Sequence, residues 1–193
     1  MVKGKLVDTW KTKSWYNIIA PEMFESKEIA QIPANEDSSL INRIIKVSLA
    51  EVTGDMSQLH TTLNFRIKDI KGKSAFTKLV GHELSPSYLK TLVRRRRDVI
   101  NEVIDVQTKD NVSIRIKVTI FTAKKVSSRA KATIRNNARE EIKERAREMD
   151  FSHLEQEVIF GKFSTRVFNR IKKIVPIKRV EVRKTEVIES FAS

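Results

Sequence analysis

Between residues 112 and 120 every second side chain is β-branched and apolar: Val112, Ile114, Ile116, Val118 and Ile120. Arg115 and Lys117 occupy intervening positions. Successive side chains on a strand point to opposite faces, so this period of two fits a β-strand with one buried face and no helix. The preceding Val103–Gln107 segment, joined to it across Lys109-Asp110-Asn111, reads as the other arm of a hairpin. A second hairpin follows from Leu63, Phe65 and Ile67 alternating with Asn64, Arg66 and Lys68. Lys71-Gly72-Lys73 forms its turn, and Ala75–Val80 returns. Ile45, Val47 and Leu49 alternate in the same way, and Trp15–Ile19 reads as a short strand stopped by Ala20-Pro21. Strands with one apolar face belong to an antiparallel sheet buried on one side.

Helical periods occupy the rest. In the segment 85–100, Ser85 is placed as N-cap and Pro86 as first helical residue, with Tyr88, Leu89, Leu92, Val93, Val99 and Ile100 at helical spacing. Inside it lie Arg94, Arg95, Arg96 and Arg97; on a helix Arg96 falls at roughly 340° from Leu89, within the apolar sector, while the other three fan outward. Residues 127–149 form a long helix whose stripe of Ala130, Ile134, Ala138, Ile142 and Ala146 is narrow and small. Such a stripe suggests weak packing on its own domain and a need for an RNA or protein surface. Ser152 with Glu155 reads as a capping box, Gly161 as a helix end, and Phe163, Val167, Ile171 and Ile174 as a further helix stopped by Pro176. Lys178–Ile188 is a last strand. Residues 22–31 are acidic and loosely amphipathic, and 33–39 a polar loop.

Strand–strand–helix–strand–strand order gives an α+β fold, a curled antiparallel sheet or partial β-barrel with surrounding basic helices. The expected organisation is a basic N-terminal arm over 1–14, one domain over 15–188 and a short tail over 189–193.

Charge narrows function. The chain carries a net +14, unevenly spread. Residues 16–62 hold three basic against seven acidic groups, 124–147 nine against three, and 162–184 nine against one. Basic blocks set among acidic ones are the footprint of a polyanion partner rather than of general solubility. Crowding four guanidinium groups into 94–97 favours the same reading; the bland alternative is a solvated basic helix. In the arm, Trp10 lies among lysines, so its ring can stack on a base while amines meet phosphate, unless it folds back on the core. The candidate RNA-binding residues are Lys3, Lys5, Trp10, Lys11, Lys13, Arg94, Arg95, Arg97, Lys124, Lys125, Arg129, Lys131, Arg135, Arg139, Lys162, Arg166, Arg170, Lys172 and Lys173.

Catalytic patterns are missing. His60, His82 and His153 lack ligand spacing, and Gly81-His82-Glu83 has no second histidine four residues on. Five glycines provide no phosphate-cradling loop, and no serine sits in a nucleophile elbow. With no cysteine there is neither disulfide nor thiolate-bound metal. No enzyme, cofactor or metal is implied. No apolar run reaches membrane-spanning length and the start lacks a secretion signal, so neither a membrane nor a secretory route is expected.

Several stretches resemble a known family. Lys13-Ser14-Trp15-Tyr16 with Ala20-Pro21 and Phe24 looks like the amino-terminal signature of the S-three-Ae (e-S-one) family of archaeal and eukaryotic small-subunit ribosomal proteins. Val47–Val52, Val103–Thr108 followed by Ile116–Lys125, and Arg135–Met149 resemble its later segments in order. The chain stops soon after its last strand and so looks like an archaeal member. The resemblance implies a structural, non-enzymatic constituent of the small ribosomal subunit, cytoplasmic and held in ribosomes. It implies a position on the platform near the messenger exit. The implied partners are small-subunit ribosomal RNA, neighbouring platform proteins and messenger RNA near the exit, with no homo-oligomer. Two rival readings of the residues are a free regulatory RNA- or DNA-binding module and an enzyme acting on nucleic acid.

Overall fold

A computed structural model describes Trp10 and residues 13–189. The chain runs through β1 (Ser14–Ile19), a 3-10 turn (Glu22–Phe24), β2 (Glu28–Ala34), β3 (Ile44–Ser48), α1 (Leu49–Thr53), β4 (Thr61–Lys71) and β5 (Ser74–Leu84). It continues with α2 (Pro86–Leu92), β6 (Val99–Gln107), β7 (Ser113–Thr122), α3 (Ser128–Glu148), α4 (Phe151–Ile159), α5 (Lys162–Ile171) and β8 (Ile177–Val187).

All eight strands join one sheet in the order β2-β1-β5-β8-β7-β6, with β4 on β5 and β3 on β4. This is the expected α+β architecture, but the sheet is open and closes into no barrel. One pairing departs from the antiparallel expectation: Asn17–Ile19 of β1 runs parallel to Ser74–Phe76 of β5. β4 fills one edge of β5, so β1 and β8 share the other. β8 reaches it beside Gly81, where a Cβ would lie 2.1 Å from the Thr185 carbonyl oxygen. Only glycine admits that approach.

Two hydrophobic cores lie along the sheet. One gathers β1–β5 and α1 around Ile18, Leu49, Leu63, Phe65 and Ile67. The other gathers β6–β8 and α3–α5 around Ile114, Ile116, Ile120, Ile134, Ile142 and Phe163. Phe151 packs against both.

The long alternation holds: Ile114, Ile116, Val118 and Ile120 are buried, while Arg115 and Lys117 point away to Asp105 (2.7 Å) and Glu186 (3.0 Å). Other expectations change. Glu28–Ala34 is a strand that runs through Pro33, tolerated because β2 is an edge. The helix from Ser85 stops at Leu92 rather than Ile100, and Ser85 gives it no side-chain cap. Val99 and Ile100 instead open β6, where Ile100, Glu102, Ile104 and Val106 face inward. The Ser152 capping box does not form. α4 starts at Phe151, whose N–H donates to Asp110, and Glu155 is buried beside His82. α5 ends at Ile171, leaving Ile174 exposed.

The largest correction concerns α3. Ile134, Ala138, Ile142 and Ala146 are all fully buried against β6–β8 and α5. A stripe of small residues lets the helix axis come close to the sheet, so what reads as weak packing is tight packing.

Candidate nucleic-acid interface

Asp98 assembles one end of the molecule. Its N–H donates to Thr122 Oγ1 (2.8 Å), and its carbonyl accepts from Thr122 N–H (3.0 Å). Its carboxylate accepts from Val126 N–H (2.8 Å) and pairs with Lys131 (3.1 Å). The Val126 bond first, then Lys131, hold the carboxyl below the usual aspartate range. On the far side, Ala123 N–H donates to the Pro176 carbonyl (2.9 Å), and Thr122 pairs with Ile177. Three segments remote in sequence, 94–98, 122–126 and 172–177, are thereby tied together where β6, β7 and β8 share an end.

These segments carry Arg94, Arg95, Arg96, Arg97, Lys124, Lys125, Lys172 and Lys173, against Asp98 alone. Arg94, Arg95, Arg96, Lys124, Lys125, Lys172 and Lys173 are exposed, and Arg97 is half-buried. None of these eight side chains makes an ion pair among the described residues; Lys172 lies over the Phe168 ring at 5.9 Å. α3 also begins here. Ser127 caps it through Ala130 N–H, and its first turn holds Arg129 and no acid. The positive end of a helix dipole favours acids, so added cations there raise a potential that the chain itself leaves uncompensated.

Arg96 differs from its sequence placement. It lies on no apolar helical face but in an exposed turn with φ +61°, a left-handed conformation that reverses the chain toward β6. In a turn, all four arginines escape the geometry that would have folded one inward. Sequence reasoning left out Arg96 for that reason, and Lys178, exposed just after Pro176, as well.

Other expected contacts are turned toward the protein. Arg135 (3.7 Å) and Arg139 both pair with Glu102, which is buried on β6. Arg166 pairs with Glu141 at 3.3 Å. Arg170 meets Glu141 and Glu144 at 2.7 Å each and Glu140 at 3.2 Å. Glu141 and then Glu144 push its pKa further up, so it is permanently charged. These arginines fasten α3 to β6 and α5 to α3. Lys131 serves Asp98. Arg129 and Lys162 are exposed without an ion pair among the described residues. Trp10 is exposed with Lys13 Nζ 4.6 Å from its ring centroid. Lys3, Lys5 and Lys11 lie outside the described residues. The structure thus brings together the 94–97, 124–125 and 172–173 groups and separates from them Lys13, Lys162, Arg166 and Arg170.

Comparison with known proteins gives a consistent result. The Ribosomal S3Ae family matches residues 1–190. A small ribosomal subunit protein eS1 from Methanococcus vannielii is 40% identical over 189 residues, covering 97% of this chain and 86% of that one. The eS1 protein of Saccharolobus islandicus is 38% identical over 186 residues, 96% of this chain and 89% of its own. That of Methanococcus maripaludis is 39% identical over 189 residues, 97% of this chain and 84% of its own.

Proposed function

This chain belongs to the ribosomal S3Ae family, and we propose from that membership that it is a structural constituent of the small ribosomal subunit, without enzymatic activity, whose basic end holds small-subunit ribosomal RNA. The observation that carries the RNA contact is the convergence of unpaired cations around Asp98, set apart from arginines already neutralised by the protein's own acids. Planar guanidinium groups bridge phosphate oxygens, and lysines add point charges. Recognition there is mostly of phosphate and RNA shape, since the deep, narrow major groove of an RNA helix keeps its base edges from side chains. The finer parts of the proposal rest on the family resemblance. They are a seat on the platform, contact with neighbouring ribosomal proteins, and proximity to messenger RNA near its exit, in cytoplasmic ribosomes.

A salt titration tests the RNA contact. Replacing Arg94, Arg95 and Arg97 together by glutamine removes three charges. If each neutralises one phosphate, the log–log salt slope of binding to small-subunit RNA shrinks by roughly 2–3 units. The Arg135→Gln and Arg170→Gln controls leave the slope nearly unchanged. An unchanged slope in the triple variant, with a slope lost in the controls, would reverse the assignment.

A further inference from the structure

At the turn from α4 into α5, Phe160 stands out of the surface, 54% exposed. Its place is fixed by backbone bonds: Phe160 N–H to Gln156 O (3.0 Å) and Gly161 N–H to Val158 O (3.1 Å). Gly161, at φ +75°, turns the chain from α4 into α5. The ring is a wall common to two adjoining depressions. One, about 410 Å³, is bounded by Phe168, Lys178 and Arg179. The other, about 230 Å³, is bounded by His60, Ser57 and Arg179. His60 stacks on Tyr88 at 4.0 Å between centroids, and Arg179 lies 5.8 Å from the Tyr88 ring.

We propose that this groove binds unpaired RNA nucleotides, with Phe160 stacking between bases seated in the two depressions. The inference rests on the RNA-binding reading above and adds a separate site to it. Three features select this occupant. An exposed aromatic ring on a turn held by backbone hydrogen bonds offers two faces to flat bases, and stacking tolerates any sequence. Lysines interleave with the rings: Lys172 lies over Phe168, and Lys178 is exposed on the wall beside it. The acid in the groove, Glu181, is already engaged by Arg179 and by the Tyr88 hydroxyl (3.2 Å). The groove is also continuous with the basic end. The segment that brings Lys172 and Lys173 to Asp98's cluster leads directly through Pro176 into Lys178 and Arg179. A strand leaving the phosphate-binding end therefore enters the groove. A duplex cannot use it, because its bases are stacked on one another and unavailable to Phe160.

The test uses the full chain with a labelled ten-nucleotide oligoadenylate and a ten-base-pair RNA duplex. Phe160→Ala should weaken oligoadenylate binding roughly five- to hundredfold and leave the duplex affinity and the salt slope unchanged. Phe160→Trp should restore binding. Because the ring is exposed, both variants should melt with the parent protein. Unchanged oligoadenylate affinity in Phe160→Ala, while the arginine triple variant weakens both probes, overturns the groove and leaves the RNA reading standing. Equal losses for single strand and duplex also overturn it. Wild-type protein that binds neither probe nor small-subunit RNA overturns both.

Discussion

Ile142→Ala decides whether α3 is held by the protein itself. Ile142 is fully buried, and its stripe neighbours Ala138 and Ala146 are too. The substitution removes three carbon atoms, a transfer loss of about 2.4 kcal/mol at roughly 0.8 kcal/mol per group. A cavity adds to this, because two alanines cannot lean into the gap and Ile104 and Val106 of the same core are stiff β-branched side chains. Large-to-small core changes of this type span roughly 2–5 kcal/mol, and poor relaxation puts this site in the upper half. Alanine's better helix propensity returns a few tenths, on the order of 0.4 kcal/mol. The expected net loss is about 3–4 kcal/mol, read as a lower urea midpoint at constant m-value. Lys143→Ala, on the exposed side of the same helix, should change stability by no more than about 0.5 kcal/mol. A loss below about 1 kcal/mol in Ile142→Ala would refute the docked helix, and would return α3 to the loosely packed element that its composition suggests.

Two further substitutions address the end of the sheet. Arg96→Gly should be neutral or stabilise by up to about 1 kcal/mol, because glycine removes the left-handed strain of an arginine at φ +61°; a continuous helix would instead lose about 1 kcal/mol, so the sign in a melting curve separates the two. Asp98 has its folded pKa depressed by Val126 N–H and Lys131, so its contribution to stability is present above the unfolded pKa and lost as pH falls through the folded one. The melting-temperature gap between wild type and Asp98→Ala should therefore be constant near neutrality and narrow on acidification below about pH 4; a gap that widens in acid would contradict the clamp.

The parts of the fold written in local period were readable. Val112–Ile120 alternates β-branched residues without interruption, and no other regular structure accommodates that pattern. β6 was legible only in its second half because Glu102 takes an inward position and breaks the alternation. Its neutralising partners, Arg135 and Arg139, come from a helix 33 and 37 residues later. With that strand start hidden, Val99 and Ile100 were free to complete a helical period that ends at Leu92. Glu155 misled in the same way. Three residues after a serine it reads as a cap, whereas its partner His82 lies 73 residues away in sequence. The small stripe of α3 carried no sign of the close-lying sheet that makes it tight. At the interface, charge density marked the right blocks but could not sort them. Arg170 and Lys172 are two residues apart, yet only Arg170 faces the carboxylates of α3.

The central claim is that this chain is a resident component of the small subunit, bound through its basic end. Sucrose-gradient sedimentation of a lysate containing tagged protein, repeated after a high-salt wash, tests it most directly. Wild type should migrate with small subunits and survive the wash, while the Arg94/Arg95/Arg97→Gln variant should be released at lower salt. Protein remaining at the top of the gradient, monodisperse and selective for a short oligonucleotide, would contradict the claim and identify a free regulatory module.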